Sequence, residues 1–412
     1  MNTPRLNASQ SAYLDFLRGI AAQIVLLGHA SILFLNGSSL YHADLQVGAV
    51  MAFFLLSGFL ISYTVFRRYN DSSFNFRHYF IDRFARIFTA FIPALVFVAL
   101  LDAYSLSLPA AEWLRTAPPE NGFGAVEWTK GLFHNYSLQY WLGNVLMLQE
   151  FPLFQIARLA GIEENSFFIK SFGSASPFWT ISIEWWLYML FGMVILLRIR
   201  TGKPFKWWQI GALGFVSIEP MYYLIGGVNN CLSLLWIMGM LTCLVFLNQD
   251  RLLEQLKWQT DSRKITAYSV LIFLFALACM AGRLLAIRID TGRFEFNELQ
   301  FGLFMTIAMF APLFVLRNTD RIPALVSRSC NWVAGYSFSL YLIHAPILTC
   351  IYLQFSDGTP NWRLMVASFA ISNASAIVFA WLFERHYHKV AAFLKSGIMT
   401  QRNYPDRARL AS

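Results

Sequence analysis

Two ionisable side chains sit inside a stretch that is otherwise apolar. Tyr13 to Leu35, YLDFLRGIAAQIVLLGHASILFL, carries Arg18 and His29. About 20 such residues, rising ~1.5 Å each, are enough to cross a bilayer. An ionisable group at membrane depth costs at least about 2.5–3.5 kcal/mol, so each of the two is first of all a candidate for function. The eleven residue steps between them, at ~100° each, make roughly three helical turns, which puts both on nearly one face and ~16 Å apart along the axis. That face must look at protein or water, not at lipid. An imidazole there is the usual general base near neutral pH, and it must lie within hydrogen-bond reach of the hydroxyl it deprotonates.

Two other buried positions fall at a similar depth. SPFWTISIEWWLYMLFG carries Glu184 about five residues below the outer surface, and YSFSLYLIHAPIL carries His344 about thirteen residues above the inner one. At ~1.5 Å per residue, His29 lies ~24 Å, His344 ~20 Å and Glu184 ~22 Å from the inner face of a ~30 Å core. A single buried histidine is commonly a core residue. Two histidines and a carboxylate at one level are expected to form a site, with Glu184 as the carboxylate that orients the base.

The inner side is cationic. Arg83 and Arg86 are three apart, on one helix face, near the start of the third apolar span. With Arg18 they form a mouth whose guanidiniums could fork phosphate oxygens. Their blander role is topological anchoring and contact with lipid headgroups. In the second span, the Ser57-Gly58 pair stands in AFFLLSGFLISY, where small residues let backbones pack closely. Glu219, before Pro220 in the fifth span, has no matching partner visible in the sequence.

These residues need a polytopic helical scaffold to hold them. Of 412 residues, 57% are hydrophobic, 17% aromatic and 13% charged, and the mean hydropathy is +0.49. Soluble domains carry about 25% charged residues. Ten spans are expected: 13–35, 47–66, 86–106, 179–198, 207–226, 230–247, 265–283, 299–316, 331–353 and 363–384. With the N-terminus inside, 24 of the 32 Lys and Arg fall on the inner side and 8 outside. This bias puts both termini in the cytoplasm. It also accounts for the net charge of +9 by topology, so no nucleic acid is expected as a partner. The five cysteines, Cys231, Cys243, Cys279, Cys330 and Cys350, are scattered in or beside apolar runs and suggest neither disulfides nor zinc. No cleavable leader is expected, because the polar start runs into a full-length span. Residues 107–178 form an outer segment rich in aromatics and in glutamates, namely Glu112, Glu120, Glu127, Glu150, Glu163 and Glu164. Within it, 140–151 reads as a short interfacial or re-entrant helix. Its aromatic residues would suit stacking on sugar rings, or simply an interfacial belt.

Five motifs in order resemble the membrane-bound acyltransferase-3 family of bacterial surface-glycan O-acyltransferases. They are Arg18 with His29; Phe53, Phe54, Ser57, Gly58 and Phe59; Arg83 with Arg86; Trp179, Thr180, Ser182, Glu184 and Tyr188; and Tyr336, Ser337, Ser339, Leu340, Tyr341, Leu342, His344 and Pro346. The resemblance covers roughly residues 11–388. It implies an acyl-CoA donor, usually acetyl-CoA, bound from the cytoplasm with the arginine pair near its phosphates. It also implies His29 as the catalytic residue, acting directly or as an acyl relay.

The expectation is therefore an all-α membrane bundle of about ten spans in the bacterial cytoplasmic membrane. Residues 1–390 would form the acyltransferase domain and 391–412 a basic, poorly ordered cytoplasmic tail. The protein would acylate a hydroxyl of an envelope or exported glycan. His29, Glu184 and His344 are the expected catalytic residues. Arg18, Arg83, Arg86, Ser57 and Tyr341 are the expected donor contacts, and no metal is called for. A partner acyltransferase or glycan-assembly protein could complete the transfer. The rival class is a transporter or exporter using the same polar residues as a path, against which stands the lack of a visible inverted repeat.

Overall fold

The computed structural model describes residues 4–35, 45–116, 125–152, 169–226, 231–255, 262–291, 299–319 and 322–402. Glu120, Glu163, Glu164, Lys257, Arg293, Arg321 and residues 403–412 lie outside them. Every regular element among the described residues is helical. They run α1 (Ala8–Phe34), α2 (Leu45–Arg67), α3 (Phe76–Leu106), α4 (Pro109–Thr116), α5 (Ala125–His134), α6 (Leu138–Val145), α7 (Trp179–Gly192), α8 (Trp207–Tyr222), α9 (Leu232–Leu247) and α10 (Gln249–Gln255). Then follow α11 (Ser262–Thr291), α12 (Leu299–Val315), α13 (Ala324–Gly335), α14 (Ser337–Phe355), α15 (Trp362–Leu382) and α16 (Tyr387–Arg402).

A helix occupies each of the ten expected places. Seven are long and apolar enough to cross a membrane alone, and an eighth if α9 and α10, bent by 66°, count as one span. The remaining two, α8 and α12, have 16 and 17 residues. The chain is a multi-pass helical membrane protein. Burial separates its core from its periphery: 72% of the α14 window is buried but only 6% of the α11 window. The apolar side chains of α11, such as Leu271 and Phe275, face outward, as they must in lipid.

Helix α1 runs through the middle, against α2, α13, α14 and α15. Its start is fixed by a capping box: Asn7 Oδ1 accepts from the Gln10 N–H, and Gln10 Oε1 accepts from the Asn7 N–H. Such a box satisfies two donors that a helix start leaves open. The same residues close the far end of α12, because Asn7 Nδ2 donates to the carbonyls of Leu316 and Arg317, and Gln10 Nε2 to that of Leu313. Helices α2 and α9 touch backbone to backbone. A Cβ built on Gly58 would lie 1.9 Å from the Trp236 carbonyl oxygen, and one on Gly239 2.1 Å from that of Leu55. Here Gly58 has the close-approach role its setting suggested.

Three details depart from the expected boundaries. Helix α3 starts at Phe76, so Arg83 and Arg86 lie two to three turns inside it rather than at its start. The ninth span breaks at Tyr336 between α13 and α14, which leaves His344 two turns from the start of its own helix. Residues 391–402 of the expected 391–412 tail belong to α16, whose Ala391 packs on Ile81 and Ala85 and whose Lys395 pairs with Asp82. Glu219, without a visible partner in the sequence, accepts from Ser182 Oγ at 2.5 Å and ties α8 to α7.

The outer segment is pinned to α3. Buried Asp102 accepts from the Ser174 N–H at 2.8 Å and from Ser174 Oγ at 2.5 Å. The preceding Gly173 has φ +56°, and a Cβ there would meet Asp102 Oδ2 at 2.0 Å. Asp102→Ala is expected to cost roughly 1–3 kcal/mol for each buried donor left unpaired. A melting temperature in detergent equal to that of the wild type would refute the pin. Nearby, α6 covers the first half of the expected 140–151 helix, and left-handed residues Met147 and Glu150 follow it. Burial pushes the Glu150 carboxyl up to about 7, with Lys170 opposing the shift.

Candidate active site

His29 and His344 meet. His29 Nδ1 lies 2.8 Å from His344 Nε2, with the rings nearly parallel at 4° and their centroids 5.1 Å apart. His344 Nδ1 lies 2.9 Å from the Leu340 carbonyl oxygen. A carbonyl only accepts, so His344 Nδ1 carries a proton. In the neutral pair, His344 Nε2 is then an acceptor and takes the bond from His29 Nδ1–H. His29 Nε2 is left with its lone pair and no proton. The relay from carbonyl to His344 to His29 selects the tautomer a base requires, much as a triad carboxylate does. Both side chains are at least nine-tenths buried.

A third aromatic group closes the pair. The Trp128 ring of α5 lies 4.5 Å from the His29 ring at 49°, and its Nε1 donates to Thr349 Oγ1 at 3.1 Å. Helix α5 thus packs onto His29. Sequence reasoning missed Trp128, because an indole in an aromatic-rich loop reads the same whether it forms a belt or covers a site.

The arginines surround a separate cavity of about 220 Å³. Arg18, Arg83, Arg86, Glu184, Tyr188 and Ser57 give it a polar side, and Phe53, Phe54, Leu60 and Ile61 an apolar one. Tyr341 stands between this cavity and the histidines. It lines the cavity, its ring centroid is 5.9 Å from that of His344, and its hydroxyl lies 2.5 Å from Thr180 Oγ1. Neither histidine is among the lining residues.

Glu184 does not take the place expected for it. No hydrogen bond or ion pair joins it to either histidine; its carboxylate accepts from Tyr188 Oη on the same helix. Tyr188 Oη is 2.9 Å from Ser57 Oγ, which accepts from Trp236 Nε1 at 3.2 Å. The depth estimate brought Glu184 level with the histidines, but the face it presents belongs to the arginine cavity. His344 orients His29 in its stead.

The arginines differ in their surroundings. Arg18 lies 3.3 Å from both Asp15 Oδ1 and the Ala334 carbonyl. Arg86 Nη1 is 2.9 Å from Glu384 Oε1. Arg83 makes no ion pair among the described residues, and its guanidinium lies 6.0 Å from the Tyr79 ring centroid. No group of three or more His, Cys, Asp or Glu among the described residues is arranged to hold a metal.

The described residues thus place a buried histidine pair beside a cation-lined cavity within a helical membrane bundle. A family model for an acyltransferase domain, acyltransferase 3, matches residues 11–385, and the chain belongs to that family of membrane acyltransferases. No curated protein and no solved structure matches the chain.

Proposed function

We propose that the protein transfers an acyl group, most simply acetyl, from cytoplasmic acyl-CoA to a hydroxyl of an envelope or exported glycan. The observation that carries this reading is the histidine pair lying just past a cation-lined cavity. Arg83 attracts the phosphates of the donor. The cavity is smaller than the roughly 300–1,000 Å³ of most small-molecule pockets, so it takes part of the donor and not the whole coenzyme. The thioester then passes Tyr341 to reach His29. His29 Nε2 accepts the proton of the acceptor hydroxyl, whose oxygen attacks the thioester carbonyl. The C–S bond breaks, and the proton goes to the departing thiolate. Alternatively Nε2 attacks first and relays the acyl group. The bacterial inner membrane, a glycan acceptor entering from the outer side beside Trp128, and a partner glycan-assembly protein complete this reading.

The test is purified protein in lipid nanodiscs, supplied with acetyl-CoA and, separately, succinyl-CoA. Binding and release of free CoA are expected with acetyl-CoA. A transporter using the same polar residues needs no thioester, so neither binding nor CoA release with either donor would overturn the proposal.

A further inference from the structure

The buried carboxylate at the end of the last span belongs to none of the roles above. Glu384 follows α15 and is 2% exposed. Its Oε2 accepts from the Ser339 backbone N–H at 3.0 Å and from Ser339 Oγ at 2.6 Å. Its Oε1 lies 2.9 Å from Arg86 Nη1. One side chain therefore joins three elements: the turn that follows α15, the start of α14 and the third turn of α3.

Each contact has a physical reason. Ser339 is the third residue of α14, and the residue before that helix, Tyr336, provides no side-chain cap. The first N–H groups of a helix need acceptors, and the positive end of its dipole favours an anion. Glu384 supplies both from a distant part of the chain. Arg86 is held on other sides too, with its guanidinium 4.9 Å from the Tyr387 ring centroid and 5.7 Å from that of Phe338. A guanidinium fixed by a buried carboxylate and two aromatic rings is spoken for. Arg83, three residues earlier, lines the same cavity as Arg86 but makes no ion pair among the described residues, and its guanidinium lies 6.0 Å from the Tyr79 ring centroid. Five residues beyond Ser339 on the same helix stands His344.

We propose that Glu384 is a positioning residue for acyl transfer, binding Arg86 and the first turn of the His344 helix at once. It commits Arg86 to the scaffold, sets the register in which α14 presents Tyr341 and His344, and leaves Arg83 to meet the donor phosphates. The donor half of this statement rests on the acyl-CoA reading above.

The experiment compares Glu384→Gln, Arg86→Gln, the double variant and Arg83→Ala in nanodiscs, by acetyl-CoA affinity and the rate of CoA release. Arg83→Ala should weaken acetyl-CoA binding by tenfold or more, about the worth of one charge-assisted contact, with a smaller change in kcat. Glu384→Gln keeps an oxygen for Ser339 but loses the charge that Arg86 needs. It and Arg86→Gln should lower kcat about tenfold or more and leave donor affinity within about threefold. The double variant removes both charges together, so it should be no worse than the poorer single variant. It also serves as the folded comparison if a single variant, left with an unpaired buried charge, does not fold. The proposal is overturned if Arg86→Gln weakens donor binding as much as Arg83→Ala at unchanged kcat, or if Glu384→Gln turns over like the wild type. If wild type binds no acetyl-CoA, the donor reading has failed by itself. Melting temperatures of the same four-protein cycle then decide the positioning role: coupled effects of Glu384→Gln and Arg86→Gln uphold it, and additive ones overturn it.

Discussion

His29→Ala is expected to lower acyl transfer about 10²- to 10⁴-fold, the usual share of a positioned general base, while acetyl-CoA still binds. The arginine-lined cavity that would hold the donor has neither histidine in its wall, so binding and chemistry separate in this variant. The His344 variants distinguish why the second ring matters. His344→Ala leaves the His29 Nδ1–H without its acceptor 2.8 Å away. A buried donor left unpaired costs about 1–3 kcal/mol, equivalent to roughly 5- to 150-fold, and the His29 ring is then free to turn. His344→Gln restores an acceptor oxygen and should recover part of that loss. The measurement is CoA release and acyl transfer by folded protein, checked by melting temperature. Full activity in His29→Ala would remove His29 from the chemistry. Equal loss in His344→Gln and His344→Ala would show that accepting the bond is not what His344 contributes.

The second large effect is on stability. Gly58→Ala places a methyl group 1.9 Å from the Trp236 carbonyl oxygen, and Gly239→Ala places one 2.1 Å from that of Leu55. Neither obstacle is the tip of a flexible side chain, so α2 and α9 must move apart. Overpacking costs about 1–3 kcal/mol where side chains can adjust, and a backbone clash is expected at or above the top of that range. Separation also breaks the contact of Trp236 with Ser57 and disturbs the chain running through Tyr188 to Glu184. Activity should therefore fall along with the melting temperature. Gly211→Ala is the control: nothing lies within 4 Å of its added methyl, and an exposed helical Gly→Ala change gains about 0.5–1 kcal/mol. If Gly58→Ala melts at the wild-type temperature, the backbone contact between α2 and α9 is not what sets their spacing.

The amino-acid sequence by itself determined the helical membrane architecture and the place of the ten long apolar segments, because apolar length is a property of one stretch of chain. It also marked Arg18, His29, Glu184 and His344, because an ionisable group costs free energy at membrane depth whatever its neighbours are. It could place residues at a depth but not on a facing surface. Glu184 shows the limit: its estimated depth matched that of His29, yet its carboxylate turns to Tyr188 and the arginine cavity. Only the tertiary structure decided that His344 accepts from His29, that Trp128 covers the pair, and that Glu384 claims Arg86 but not Arg83. The physical reason is that such contacts depend on the rotation and spacing of helices far apart in sequence. Those are set by close approaches such as Gly58 on Trp236 and by buried hydrogen bonds such as Ser339 to Glu384, and no periodicity within a single helix records them.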